Sequence, residues 1–208
     1  MTTYKAVGVV AAVVLSLIFP FLVNEKYLDV AVQILIASLF AMSFNILNGR
    51  AGLLSFGHAA FFGLGAFATV HAMNATNGAV PLPFVPLAGW ISGLLAGLLF
   101  GWFATKRSGV YFSMITLALA ELLYSMAPHL SSTFGGEAGI STMRTAAFGV
   151  SFATDQDVYY LVLAWVLVAV ALIYYLSRSP FGQVLAGLKD NRSRMRFLGY
   201  DTHHLGWL

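Results

Sequence analysis

Residues 158–177 read VYYLVLAWVLVAVALIYYLS, twenty residues without one charged side chain. A hydrocarbon core about 30 Å thick needs roughly 17–25 residues of helix to cross it, so this stretch can span a bilayer. Five more stretches of similar character precede it, at 6–23, 28–47, 51–73, 84–104 and 109–127. Hydrophobic residues make up 59% and charged residues 9% of the 208, against about 45–50% and 25% in soluble domains. Eight acidic and eleven basic side chains cannot solvate the outside of a domain this size, so lipid must face it. The expected fold is all-α, a polytopic transmembrane helix bundle of about six spans in a single domain over 1–208.

The same composition removes other classes. A membrane β-barrel would alternate apolar and polar residues in segments of about ten, and no such alternation is present. The chain has no cysteine, which excludes a disulfide scaffold. Its apolar content excludes disorder. A net charge of +3 is too weak a field for a nucleic-acid binder. The first stretch follows Lys5 as a signal peptide would, but no small-x-small cleavage site follows it, so it reads as a retained anchor.

Lys and Arg placement sets the expected orientation. With the N-terminus in the cytoplasm, the inner side holds Lys5, Arg50, Lys106, Arg107, Arg178, Lys189, Arg192, Arg194 and Arg196. The outer side then holds only Lys26 and Arg144, among the acids Glu25, Asp29, Glu137, Asp155 and Asp157. The final residues Leu205-Gly206-Trp207-Leu208 resemble the first turn of another apolar helix. The sequence therefore reads as the N-terminal part of a longer, incomplete domain.

Four regions carry candidate function. Gly89, Gly93, Gly97 and Gly101 recur every four residues in the fourth stretch, a spacing that lets a neighbouring helix approach closely. The third stretch is dense in glycine, and Ser55, Ala59 and Gly63 would form a second small-residue stripe. Glycine at that density weakens a helix, and unwound backbone survives at membrane depth only inside protein or beside water. His58 in this stretch is open to two readings, a packing residue or a lining of a solute pathway. Glu121 is the single acid within a span, a little past its middle. It belongs either to a solute pathway or to an interhelical hydrogen bond.

The outer loop after the fifth stretch holds Gly135, Gly136 and Gly139, which permit a tight re-entrant turn or simply an exposed loop. It is no phosphate-binding loop, since G-x-x-x-x-G-K-[ST] is absent. On the inner side, 178–204 reads as two short helices. Pro180 opens one, Asp190 or Asn191 caps the next and Gly199 ends it. Val184, Leu185 and Leu188 lie among cations there, which fits a dock for a soluble partner or a charge cluster against anionic lipid. His203 and His204 lack the companions a metal site needs, so no metal is expected. Hydrolase and transferase signatures are missing, and no enzyme activity or cofactor is expected on this chain.

The stretch GLLSFGHAAFFGLGA, 52–66, closely resembles the signature of the LivM-type permeases of branched-chain amino acid importers. GVYFSMITLA at 109–118 with Glu121 is similar to that family's next block. Phe134-Gly135-Gly136 with Gly139 resembles its outer glycine motif, and 179–201 its cytoplasmic coupling segment. Gln183 and Met195 depart from the Gly-Arg pair and the small residue common at those places. The resemblance implies a multi-pass permease subunit in a bacterial inner membrane, part of an ATP-binding-cassette importer of leucine, isoleucine and valine. Its partners would be a homologous second permease, two cytoplasmic ATPases carrying the ATP, and a periplasmic solute-binding protein.

Solute-pathway candidates are then Ser55, His58, Thr116 and Glu121. ATPase-coupling candidates are Phe181, Gly182, Leu185, Lys189, Asp190, Asn191, Arg194 and Gly199. Sister permeases for urea, short amides or aromatic acids share the scaffold and stand as the alternative. Outside this class, an ion-coupled transporter using Glu121 and a non-transporting membrane subunit also fit the composition.

Overall fold

The structure is a computed structural model and describes residues 2–76, 80–106, 109–142 and 154–200. Among these there are no strands. The helices are α1 (Thr2–Leu22), α2 (Glu25–Asn45), α3 (His58–Thr76), α4 (Pro86–Ala104), α5 (Val110–Met126), α6 (Ser131–Phe134), α7 (Asp155–Arg178), α8 (Pro180–Asp190) and α9 (Arg192–Phe197). A π-helical turn, Ile46–Arg50, prolongs α2, and a 3₁₀ turn, Leu82–Phe84, leads into α4. Arg107, Arg144, Asp201, His203, His204 and the last apolar residues lie outside the described residues.

Among the described residues, three helical stretches are long and apolar enough to cross a membrane, Glu25–Arg50, Leu82–Ala104 and Asp155–Arg178. Val10–Leu22 and Val110–Met126 are apolar but shorter. The helix in the third expected span differs in both start and composition. It begins at His58 rather than near 51, and it carries His58, His71, Asn74 and Thr76. Nineteen residues still reach about 28 Å, so its length suffices while its polarity sets it apart.

The helices pack as two groups. In the first, α2 lies along α7, and α1 joins them through α7. Leu28, Tyr159 and Leu163 form its buried centre, with Phe19, Val32 and Leu35 packed around. Pro20 sits inside α1 and has no N–H to offer the carbonyl four residues before it. That carbonyl belongs to Ser16, and the Tyr159 hydroxyl donates to it at 2.9 Å. The neighbouring Tyr160 hydroxyl reaches the Leu17 carbonyl at 3.1 Å. A proline in one helix is thus made good by a tyrosine on another.

In the second group α3 lies against α4, and α5 touches both. The approach is closest at Gly65 and Gly89, where a methyl on Gly89 would stand 2.8 Å from the Gly65 carbonyl oxygen and 2.5 Å from Thr69 Oγ1. Of the expected glycine stripe, Gly89 therefore makes a close helix contact. Gly93 and Gly97 have nothing within 4 Å of where a Cβ would stand, and the Gly101 carbonyl accepts the Thr105 hydroxyl at 2.7 Å. A four-residue spacing gives one helix face, but one neighbour crossing at an angle meets that face at one level only.

The groups touch where Trp165 Nε1 donates to the Pro83 carbonyl at 3.0 Å, around His58, and at the basic end described below. The accessible surface is 13,588 Å², whereas a compact soluble chain of 22.4 kDa would expose about 9,400 Å². Phe21, Val110, Tyr111 and Tyr175 are among many large apolar side chains left outside, as lipid-facing or protein-facing helices require.

Candidate functional site

The chain between α2 and α3 is where sequence and structure part most. Ala51, Leu53, Ser55 and Gly57 are buried while Gly52, Leu54 and Phe56 are exposed, a two-residue alternation that belongs to extended backbone. Helix cannot continue here for local reasons. The π turn closes with Ala51 N–H on the Ile46 carbonyl at 3.3 Å and Leu53 N–H on Leu47 at 3.1 Å. Gly52 then takes φ +66°, which side chains with a Cβ rarely adopt. The expected stripe of Ser55, Ala59 and Gly63 is accordingly no single helix face, because Ser55 precedes the helix.

An unwound segment needs partners for its main chain, and α5 supplies them. Ser113 Oγ donates to the Leu54 carbonyl at 2.6 Å, and the Phe56 N–H donates to Thr116 Oγ1 at 3.2 Å. Thr116 Oγ1 in turn donates to the Ser113 carbonyl at 2.9 Å. Gly57 lies so close that a Cβ would overlap the Thr116 carbonyl. Thr116, expected in a solute pathway, is 6% exposed and holds the unwound segment. Ser113 was not singled out by the sequence, although a serine amid the apolar run of α5 is the signal that could have found it.

His58 opens α3 inside a ring of aromatics, with centroids of Phe40, Phe44 and Phe61 at 5.0, 5.7 and 6.3 Å. Its Nε2 lies 2.8 Å from Ser43 Oγ. Ser43 donates its single hydroxyl proton to the Phe40 carbonyl at 2.8 Å, so it accepts from Nε2–H. That assignment leaves Nδ1 a bare acceptor, buried and without a protein partner, as is the Ser55 hydroxyl nearby in sequence. His58 therefore joins α2 to α3, and Ser43 is the partner that the sequence did not single out.

Below this junction lie α8 and α9. Ser179 caps α8, its hydroxyl accepting from Gly182 N–H at 3.3 Å, with Pro180 in the first turn. Asn191 Oδ1 accepts from Arg194 N–H at 2.9 Å and so starts α9. Gly199, at φ +87°, ends it. A methyl on Gly187 would stand 2.8 Å from Met195 Sδ, so Met195 closes α9 onto α8. Losing the Asn191 cap costs about 1 kcal/mol. Asn191→Ala is expected to speed amide exchange across 192–197, measured by mass spectrometry, with little change in α7.

Two cations fasten the end of α7 and this hairpin to the junction. Arg50 Nη1 donates to the Ser177 carbonyl at 2.6 Å, and Lys189 Nζ donates to the Gly49 carbonyl at 2.9 Å. The Lys189 stem lies over Gly52, with Cγ 2.8 Å from where a Cβ would be. Leu185 packs on a buried cluster of Ala51, Leu53, Ala104 and Phe112. Gly182 fits against the Leu176 and Ser177 carbonyls. Phe181, Asp190 and Arg194 complete the hairpin, and Phe197 at its tip is 92% exposed.

At the other end of α3 and α5, Gly135 adopts φ +77° and ends α6 with its N–H on the Ser131 carbonyl at 2.9 Å. Gly136 and Gly139 also have positive φ. The turn is packed down on α3. Phe134 meets Phe67 edge-on at 4.9 Å, and His71 Nε2 donates to the Thr133 carbonyl at 2.5 Å. Beneath it a cavity of about 330 Å³ opens between α3 and α5, lined by Ala60, Gly63, Phe67, Tyr124, Phe134 and Glu121 among others. Ser55, His58 and Thr116 cluster at the junction, while Glu121 faces this separate cavity.

Among the described residues, an all-helical bundle with long apolar helices, a broken helix and a capped polar hairpin at one end defines a polytopic membrane helix bundle. Residues 26–208 match the model of the branched-chain amino acid transport system permease component, and the chain belongs to that family. It is 26% identical to the high-affinity branched-chain amino acid transport system permease protein LivM of Salmonella typhimurium, over 95% of this chain and 52% of that protein. Its likeness to the Escherichia coli LivM protein is also 26%, over 98% and 53%. A probable LivM permease of Methanocaldococcus jannaschii is 24% identical over 79% and 57%. The chain thus spans about half the length of the curated relatives it matches. No solved structure matches it.

Proposed function

We propose that this chain supplies solute-conducting helices and the ATPase-coupling hairpin of a bacterial inner-membrane permease subunit that imports branched-chain amino acids. The observation that carries the reading is the fastening of the end of α7, through Arg50, and of α8, through Lys189, to the start of the broken helix. A soluble ATPase moving α8 would pull on the unwound stretch between α2 and α3. Family membership supports the substrate class. The described cations Arg50, Lys106, Arg178, Lys189, Arg194 and Arg196 share the hairpin's end of the bundle, which supports a cytoplasmic N-terminus.

In this reading the working unit holds a second homologous permease, two cytoplasmic ATPases and a periplasmic solute-binding protein. ATP is bound and hydrolysed on the partners, and this chain's equilibrium between outward- and inward-open states is biased by them. Purified with those partners in proteoliposomes, the transporter is expected to accumulate radiolabelled leucine only when ATP is enclosed on the ATPase side. Uptake driven by an ion gradient without ATPases would overturn the importer reading. ATP-driven uptake of urea or benzoate in place of leucine would overturn the substrate.

A further inference from the structure

We propose that the cavity between α3 and α5 binds the ammonium end of a zwitterionic aliphatic amino acid, with Glu121 as its anion; this rests on the transport reading above. The cavity exists because α3 turns small residues toward α5. Ala59, Ala60 and Gly63 line it, and nothing stands within 4 Å of where a Gly63 Cβ would be. About 330 Å³ lies at the lower end of small-ligand sites, which run to about 1,000 Å³. Its other walls, Leu64, Phe67, Leu123 and Phe134, are apolar and suit an aliphatic side chain.

A purely apolar cavity here would suit hydrocarbon, and the carboxylate changes that. Helices α3, α4 and α5 contain no Lys or Arg, and among the described residues Glu121 has no ion-pair partner. Of the two imidazoles at that end, His71 is committed to the Thr133 carbonyl and His129 does not line the cavity. An ionised carboxylate at membrane depth is unfavourable unless a cation meets it, and the described residues of the cavity wall offer none. A ligand ammonium would. Tyr124 lines the same wall with most of its surface exposed, and a phenol hydroxyl can donate to the ligand's own carboxylate. The same charge disfavours benzoate-like anions and gains nothing from neutral urea, so the cavity discriminates between the substrate classes its scaffold admits.

The test is equilibrium binding of tritiated leucine to the purified membrane complex without the soluble binding protein. 3-Methylbutylamine keeps the ammonium and lacks the carboxylate, and 4-methylpentanoate is the reverse. The amine is expected to displace leucine and the acid is not. Glu121→Gln is expected to weaken leucine binding about 10–100-fold, the worth of a hydrogen bond to a charged group. Gly63→Leu fills the opposite wall without touching the charge and is expected to block binding equally, with co-purification of the partners confirming assembly. Unchanged affinity in Glu121→Gln, equal displacement by the acid, or binding of neither leucine nor amine by the wild type overturns the assignment. Absence of ATP-driven leucine uptake alongside Glu121-dependent amine binding would instead overturn the transport reading and leave the site standing.

Discussion

Gly57→Ala is expected to deplete the folded protein from the membrane, whereas Gly63→Ala, six residues on, is expected to leave its level unchanged or raised. The Gly57 Cβ would overlap the Thr116 carbonyl, a backbone atom in the middle of α5 that cannot rotate away. Either the 51–57 segment lifts, breaking the Ser113–Leu54 and Thr116–Phe56 hydrogen bonds, or α5 shifts and opens the Phe112 cluster. Overpacking costs about 1–3 kcal/mol in ordinary cores. Two main-chain groups left unpaired away from water add about 1–3 kcal/mol each, enough to erase the stability of a typical domain's weaker half. At Gly63 the added methyl meets nothing, and alanine gains up to about 1 kcal/mol of helix propensity. Steady-state membrane level and melting temperature in detergent for the two variants check both halves. Equal behaviour would mean that the unwound segment does not lie against α5.

Arg50→Ala is expected to lower leucine uptake about 10–100-fold while ATP hydrolysis by the partner subunits continues. Its guanidinium meets the Ser177 carbonyl, at the end of α7, from a partly buried position. Bonds of this charge-assisted kind contribute about 1.5–3 kcal/mol, and every 1.4 kcal/mol is a tenfold change in the docked fraction. Lys189 is exposed, so its bond to Gly49 is screened and should contribute less than about 1 kcal/mol. Lys189→Ala alone is therefore expected to lower uptake by a few-fold at most, and the double variant to be the most severe. Uptake and ATPase rate are read on the same proteoliposomes. Parallel loss of both would point to failed assembly, and unchanged uptake would show that the fastening transmits nothing.

Much of this was legible in the sequence. The apolar runs announced the long helices because lipid exposure demands composition that nothing else explains. Pro180, Asn191 and Gly199 announced the hairpin because caps act over three or four residues and leave local marks. The crowding of glycine around 49–65 announced irregularity, yet the sequence placed it inside a helix. What unwinds 51–57 is a set of partners some sixty residues away, Ser113 and Thr116, and what seats the end of α7 and α8 is Arg50 on Ser177 and Lys189 on Gly49, each over a hundred residues apart. Neither pairing leaves a periodic signal. Charge counting found Arg50 and Lys189 and assigned Arg50 to topology and Lys189 to both topology and the coupling segment, while their reach to carbonyls depends on where two helix ends meet. Thr116 was found for its polarity and turned out to hold main chain.

The joint between the two helix groups sits at the hairpin end, where the π turn, the 51–57 segment and α8 meet. Near the middle of α7 the Trp165–Pro83 hydrogen bond is a slender tie between them. Helix α7, of 24 residues, is about 36 Å long. Pivoting at one end, each ~10° of rotation carries the other through ~6 Å, about one side-chain diameter of gape. On the transport reading, such leverage would turn a small displacement at Arg50 into a larger one at the opposite end of α7.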